Sequence, residues 1–177
     1  MRDRYRRRPT RTRLLLCLEL ALLIAIVWGI YAWRTKDLLS SDGSVQAPYF
    51  ELMDLQGRVR TRESFSDKPT VLYFFAPWCK VCNASAHQLR WFDDWLGDEV
   101  NVVMIALDFA DPMEVKAFRD THELRTEILL GNRRTLVDFQ IPGYPTYYLL
   151  DGSGRIRRKD FGYTTVFGLV WRVVTGL

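Results

Sequence analysis

Residues Leu14 to Trp33 carry a single ionisable side chain, Glu19, whereas beyond residue 47 the chain breaks into short apolar runs separated by Gly, Pro and Asp. At 1.5 Å per residue, a helix over 14–33 spans about 30 Å, the thickness of a bilayer core. The pattern predicts one transmembrane helix there, followed by a polar linker over 34–47. Tyr49 to Leu55 and Val59 to Thr61 flank Gln56-Gly57 and predict a β-hairpin. Thr70 to Phe75 is apolar almost throughout, as in strands covered on both faces. From Cys79 to Leu96 apolar residues recur at helical spacing and Gly97 marks the stop.

Val100 to Leu107 predicts a second buried strand, and Asp111 as N-cap with Pro112 in the first turn opens a helix to about Thr121. A short strand over Ile128 to Leu130 and a helix over Asn132 to Gln140 follow. Thr146 to Leu150 and Arg155 to Phe161 form a hairpin through Asp151-Gly152-Ser153-Gly154, and an amphipathic helix runs from about Thr165 to Val174. The alternation implies an α/β domain over 48–177: a central mixed sheet with helices on both faces, an N-terminal β-hairpin and a closing antiparallel hairpin. The chain then divides into a basic head (1–13), an anchor (14–33), a linker (34–47) and this domain.

Charge changes the picture mainly at the N-terminus. Arg2, Arg4, Arg6, Arg7, Arg8, Arg11 and Arg13 precede the apolar stretch, and only Arg34 and Lys36 follow it closely. The positive-inside rule therefore leaves the N-terminus in the cytoplasm and carries the domain across. Trp28, Tyr31 and Trp33 at the far end suit an interface belt better than a signal-peptide cleavage site. Residues 37–177 hold 16 Lys and Arg against 19 Asp and Glu, so the overall net charge of +4 describes topology and not nucleic-acid binding. Arg155, Arg157, Arg158 and Lys159 are expected as a solvated edge of the closing hairpin. Glu19, early in the span, is either tolerated near the headgroups or set against a partner helix.

The candidate chemistry is Cys79-Lys80-Val81-Cys82, placed where an apolar strand gives way to a helix. Unpaired N–H groups and the positive end of the helix dipole favour a thiolate there, and Cys-x-x-Cys thiols fall from about 8.5 to roughly 3.5–7.5. A structural zinc site would need Cys79, Cys82, His87 and His122 together, since zinc takes four ligands and Cys17 lies in the apolar stretch. A purely structural bridge would close too short a loop to add much stability. The pair is expected to be a redox dithiol with no metal or other cofactor.

Trp78-Cys79-Lys80-Val81-Cys82 together with Gly143-Tyr144-Pro145-Thr146 resembles the thioredoxin superfamily, in which a WCxxC loop faces a cis-proline loop. The resemblance is closest to the membrane-anchored bacterial TlpA-like and ResA-like thiol-disulfide oxidoreductases. It is carried further by Phe50 to Gly57, a βα insert around Asp108 to Gly131, and Thr146 to Gly152. It implies that Cys79 is the nucleophile, Cys82 the resolving thiol, Trp78 an apolar lip, and Tyr144 and cis-Pro145 the loop that meets an extended substrate, with Lys80 favouring the thiolate. It also implies disulfide-bearing protein substrates, a membrane electron donor, a reducing direction and a place in the bacterial inner membrane with the domain periplasmic. Two departures stand out. Tyr73 occupies the place of the buried carboxylate that thioredoxins keep six residues before the first cysteine, leaving water or His87 to take the Cys82 proton. Val81 and Asn83-Ala84-Ser85 replace the usual proline-containing positions around the second cysteine. The competing reading is a tethered thioredoxin-fold metallochaperone that holds copper through Cys79 and Cys82, with a histidine as third ligand.

Overall fold

A computed structural model of the protein describes residues 10–176, with side chains from Arg13 onward, so most of the basic head lies outside the described residues. The chain forms two compact units, Met1–Lys36 and Asp37–Leu177. In the first, helix α1 (Thr10–Thr35) is longer at both ends than the apolar stretch alone required. Its segment Arg13–Thr35, with a mean hydropathy of 2.5, is long and apolar enough to cross a membrane.

The second unit is a seven-stranded mixed sheet in the order β2-β1-β5-β4-β3-β6-β7. The strands are β1 (Glu51–Asp54), β2 (Val59–Thr61), β3 (Thr70–Phe75), β4 (Asn101–Ala106), β5 (Glu127–Leu130), β6 (Thr146–Leu150) and β7 (Ile156–Phe161). Strands β3, β4 and β5 run parallel, while β6 and β7 on one side and β1 and β2 on the other are antiparallel. The α-helices of this unit are α2 (Lys80–Leu96), α3 (Pro112–Thr121), α4 (Arg133–Asp138) and α5 (Val166–Gly176).

Every residue of β3 is buried, which explains its unbroken apolar run. Val71, Tyr73 and Phe75 face α2, α3 and α5, whereas Leu72 and Phe74 face a second core with Phe50, Phe139 and Tyr148. Asp111 caps α3 by accepting from the Met113 N–H, with Pro112 in the first turn as expected. Gly97 ends α2 without adopting a left-handed conformation: its φ is −61° and its N–H donates to the Asp93 carbonyl.

Two expectations change. The polar stretch before Pro48 is packed onto the domain, since Leu38 and Ala47 are buried, the Ala47 N–H donates to the Gly154 carbonyl and the Ile156 N–H donates to the Val45 carbonyl. The basic quartet does lie at the sheet edge, with Arg155 and Arg158 exposed, but its side chains are engaged as well. Arg155 binds the Ser44 carbonyl at 3.0 Å, Arg157 binds Gly176 at 3.2 Å and Arg158 binds Thr175 at 2.5 Å, so two of these cations serve the unpaired carbonyls at the end of α5.

At Gly131 after β5, an added Cβ would stand 2.7 Å from a Leu107 methyl and 2.8 Å from the Ala106 carbonyl oxygen. Gly131→Ala is expected to destabilise the domain by about 1–3 kcal/mol, measured as a lowered thermal midpoint.

Candidate active site

The dithiol sits at the first turn of α2. Cys79 is the N-cap, extended at φ −72° and ψ 115°, and its Sγ accepts the Cys82 N–H at 3.1 Å. A sulfur thus takes the place of the usual Ser or Asp oxygen as cap, satisfying one of the helix's unpaired donors. The Cys79 N–H donates to the Ala76 carbonyl at 3.0 Å, which fixes the turn out of β3. Both cysteines are free thiols. Cys79 retains 6% exposure and Cys82 none.

The peptide bond Tyr144–Pro145 is cis. It presents the Tyr144 carbonyl 3.7 Å from Cys79 Sγ, so the thiol donates toward it. Trp78 is 64% exposed, and its ring meets Tyr144 edge-on at a centroid distance of 6.0 Å. Trp78, Cys79, Cys82, Tyr144 and Pro145 therefore come together at one end of the sheet. Lys80 occupies the first position of α2, exposed to solvent.

Burial is the main force that raises the Cys82 thiol well above its ordinary range, reinforced by the adjacent Cys79 thiol. Tyr144 is pushed up by burial and then by its bond to Asp108. Cys82 therefore holds its proton more tightly than an ordinary thiol.

Asp108 was not visible as a site residue in the sequence. It follows β4 in a left-handed conformation, φ 48°, and joins both walls of the cleft. Its carbonyl accepts the Trp78 indole N–H at 2.8 Å, and its carboxylate accepts the Tyr144 hydroxyl at 2.8 Å. The available signal was its position just past the carboxyl end of a central parallel strand, where open α/β sheets place ligand contacts.

Asn83 is a second unanticipated member. Its side-chain amide donates to the Cys79 carbonyl at 2.9 Å and to the Pro77 carbonyl at 3.2 Å, leaving its oxygen to accept from His122 Nε2 at 2.9 Å. Burial first, and His87 second, lower the basicity of His122. His87 lies 2.9 Å from the Gln88 amide nitrogen and edge-on to Trp91. Among the described residues no three His, Cys, Asp or Glu side chains gather as a metal-ion site.

Residues 44–159 match the AhpC/TSA family. The chain belongs to that family. Within this thioredoxin-like family the chain is 31% identical over 150 residues to the thioredoxin-like protein YneN of Bacillus subtilis, covering 81% of this chain and 88% of YneN. It is 26% identical over 149 residues to the thiol-disulfide oxidoreductase ResA of Geobacillus thermodenitrificans, covering 82% and 84% of the two chains. Its fold superposes on a thiol:disulfide interchange protein, DsbE, from Chlorobium tepidum with a TM-score of 0.70 at 21% identity, over 77% of this chain and 99% of the other. The ResA-like resemblance and the thioredoxin-like fold are borne out, and the protein is an enzyme of the thiol-disulfide oxidoreductase class.

Asp108→Ala removes the carboxylate that holds Tyr144 while leaving a backbone carbonyl for Trp78. A lost hydrogen bond of about 0.5–1.5 kcal/mol is expected to lower kcat/KM for protein disulfides by up to about tenfold, with turnover of a small-molecule disulfide nearly unchanged. Parallel steady-state assays of the two substrates check this.

Proposed function

We propose that the protein is a membrane-tethered, extracytoplasmic oxidoreductase in which the Cys79–Cys82 dithiol reduces disulfides in protein clients. The observation that carries the reading is the position of Cys79 Sγ between the Cys82 N–H and the Tyr144 carbonyl, beside a cis-proline. At the helix start, the N–H donor and the helix dipole stabilise negative charge on Cys79. Its thiolate attacks a client disulfide, forming a mixed disulfide and releasing one client thiolate. Cys82 then attacks Cys79 Sγ, the intramolecular disulfide forms, and the second client sulfur leaves. Two electrons pass from the dithiol to the client, and the two thiol protons end on the client's cysteines.

The cis-proline loop suits an extended client segment. Pro145 brings no N–H of its own, so the loop approaches the sulfur without a competing donor. Trp78 and Tyr144 supply rigid apolar walls on which such a segment can rest, and Lys80 at the exposed first turn adds positive charge beside the thiolate.

The reducing direction draws its support from the resemblance to ResA-like oxidoreductases. Tethering draws support from α1, from the seven arginines ahead of its apolar stretch and from the aromatic residues at its far end. A reductant outside the membrane must be recharged, and a membrane protein carrying electrons from the cytoplasm is the partner that fits. Copper storage by the same pair draws less support, because His87 and His122 are engaged with Gln88 and Asn83.

Cys79→Ser is expected to abolish reduction of a protein disulfide, and Cys82→Ser to accumulate mixed disulfides with clients, seen as thiol-labile adducts. Full activity in Cys79→Ser would remove the assignment. The reduction potential is expected near that of thioredoxin, about −270 mV, and a value near the −120 mV typical of a strong oxidant would reverse the direction. At neutral pH an alkylating reagent is expected to label Cys79 and spare Cys82, with Cys82 labelled only on unfolding, as peptide mapping would show.

A further inference from the structure

Behind Cys82 lie two hydroxyl groups that the exchange reaction described above leaves without a task. Tyr73 on β3 and Tyr147 on β6 are direct cross-strand partners with ring centroids 4.9 Å apart. Both side chains are buried in the same core as Cys79 and Cys82, and neither hydroxyl has a hydrogen-bond partner of normal geometry. Burying an unpaired hydroxyl costs on the order of 1–3 kcal/mol by protein mutational data, and a phenylalanine at either position would keep the ring packing without that cost. Cys82 lies in that same core and acts electrostatically on the Tyr73 phenol, and Tyr147 interacts in turn with Tyr73 and Ser85.

We infer that Tyr73, backed by Tyr147, is a positioning residue that donates a hydrogen bond to the Cys82 sulfur as it becomes a thiolate, so that a neutral phenol takes the place of a buried carboxylate in the resolving step. The inference rests on the assignment of Cys82 as the resolving thiol. The chemistry excludes the tyrosines as bases. Burial, foremost, raises both phenols above their ordinary range, so they keep their protons wherever the dithiol is active. They can only donate, and donation is worth most when the acceptor is charged and the surroundings exclude water.

The step balances without a proton acceptor in the core. Cys82 Sγ bonds to Cys79 Sγ, the bond from Cys79 to the client sulfur breaks, and the proton leaving Cys82 ends on the departing client thiol. Tyr73 holds its own proton throughout and lowers the barrier by stabilising charge that appears on Cys82 only in passing.

The titratable groups that face Cys82 are Cys79 on its own helix, Tyr73 and Tyr147 on the sheet, and Tyr144 in the cis-proline loop. Asp160 on β7 faces Tyr147 and is paired with Arg172. A resolving step governed by neutral donors then has a pH midpoint set by Cys82 itself and displaced downward by Tyr73.

The test uses the full chain in detergent, loaded at Cys79 as a mixed disulfide with a chromogenic thiol, with release of that thiol followed in stopped flow across pH. Tyr73→Phe is expected to resolve about tenfold more slowly or worse, as for loss of a hydrogen bond to a charged group, with its pH midpoint displaced upward and its attack on the small disulfide unchanged. Tyr147→Phe is expected to show a smaller effect of the same sign. Placing a ring-fluorinated tyrosine at Tyr73, a stronger donor with the same packing, is expected to speed resolution and lower the midpoint. This second variant decides the matter if Tyr73→Phe does not fold. Unchanged resolution rate and pH midpoint in a folded Tyr73→Phe, or no response to fluorination, overturns the inference. Mixed disulfides that still accumulate in Cys82→Ser would then leave the proposed reaction standing, whereas their absence removes the resolving role itself.

Discussion

The hydrogen bond from the Cys82 N–H to Cys79 Sγ is the contact on which the rest of the molecule depends. It makes one cysteine the cap of the helix that carries the other, so the sulfur spacing follows from helix geometry and not from flexible side chains. A cap residue lies outside the helix yet is held by it, and its side chain is aimed at the unpaired donors of the first turn. Negative charge on Cys79 therefore meets an oriented N–H and the positive end of α2 with no rearrangement. The opposite side of the sulfur is left to the cis-proline loop. In the proposed reaction, a client sulfur approaching there meets a nucleophile already held in place.

That cap must be held still, and the sheet does this. Strand β3 is buried along its whole length between β4 and β6, and it delivers Ala76, Pro77 and Trp78 to the start of α2. β4 runs parallel to β3 and ends two residues before Asp108, while antiparallel β6 begins just after the cis-proline. Three loops from three adjacent strands thus reach the same end of the sheet because of strand direction alone. Asp108 then links two of them, binding Trp78 through its carbonyl and Tyr144 through its carboxylate. The cleft walls are coupled by one residue that touches neither sulfur.

Much of this was legible in the sequence where one physical signal dominated. The apolar run of β3, the Asp111–Pro112 start of α3 and the two Gly-containing hairpin turns each follow from local chemistry, and the strands and α-helices of the domain fall within a residue or two of expectation. The dithiol was legible because its residue types carry their own mechanism, and the cis-proline through the thioredoxin-like resemblance. What was not legible depended on tertiary partners. Leu38 and Ala47 sit in a polar stretch whose composition indicates a tether, yet each finds an apolar pocket on the domain. The cations of β7 were expected in solvent, and only the end of α5 shows what Arg157 and Arg158 bind. An aspartate after a strand is common in any chain, so Asp108 gained its meaning only from the two rings on either side.

Tyr73 poses a question of charge. A carboxylate behind a thiolate would place two negative groups in one core. At about 4 Å and an effective dielectric constant of about 20, their repulsion is about 4 kcal/mol. A hydrogen bond to a charged sulfur returns about 1.5–3 kcal/mol, so a carboxylate can assist Cys82 only by taking its proton and becoming neutral. A phenol reaches neutrality by another route, because burial keeps it protonated from the start. It cannot accept the Cys82 proton, but it never opposes the thiolate either. An enzyme built this way depends on the departing client thiol to collect the proton, so its resolving rate should depend on the basicity of that leaving group as well as on the core around Cys82. A carboxylate-assisted resolving step would be less sensitive to the leaving thiol, since its proton acceptor travels with the protein.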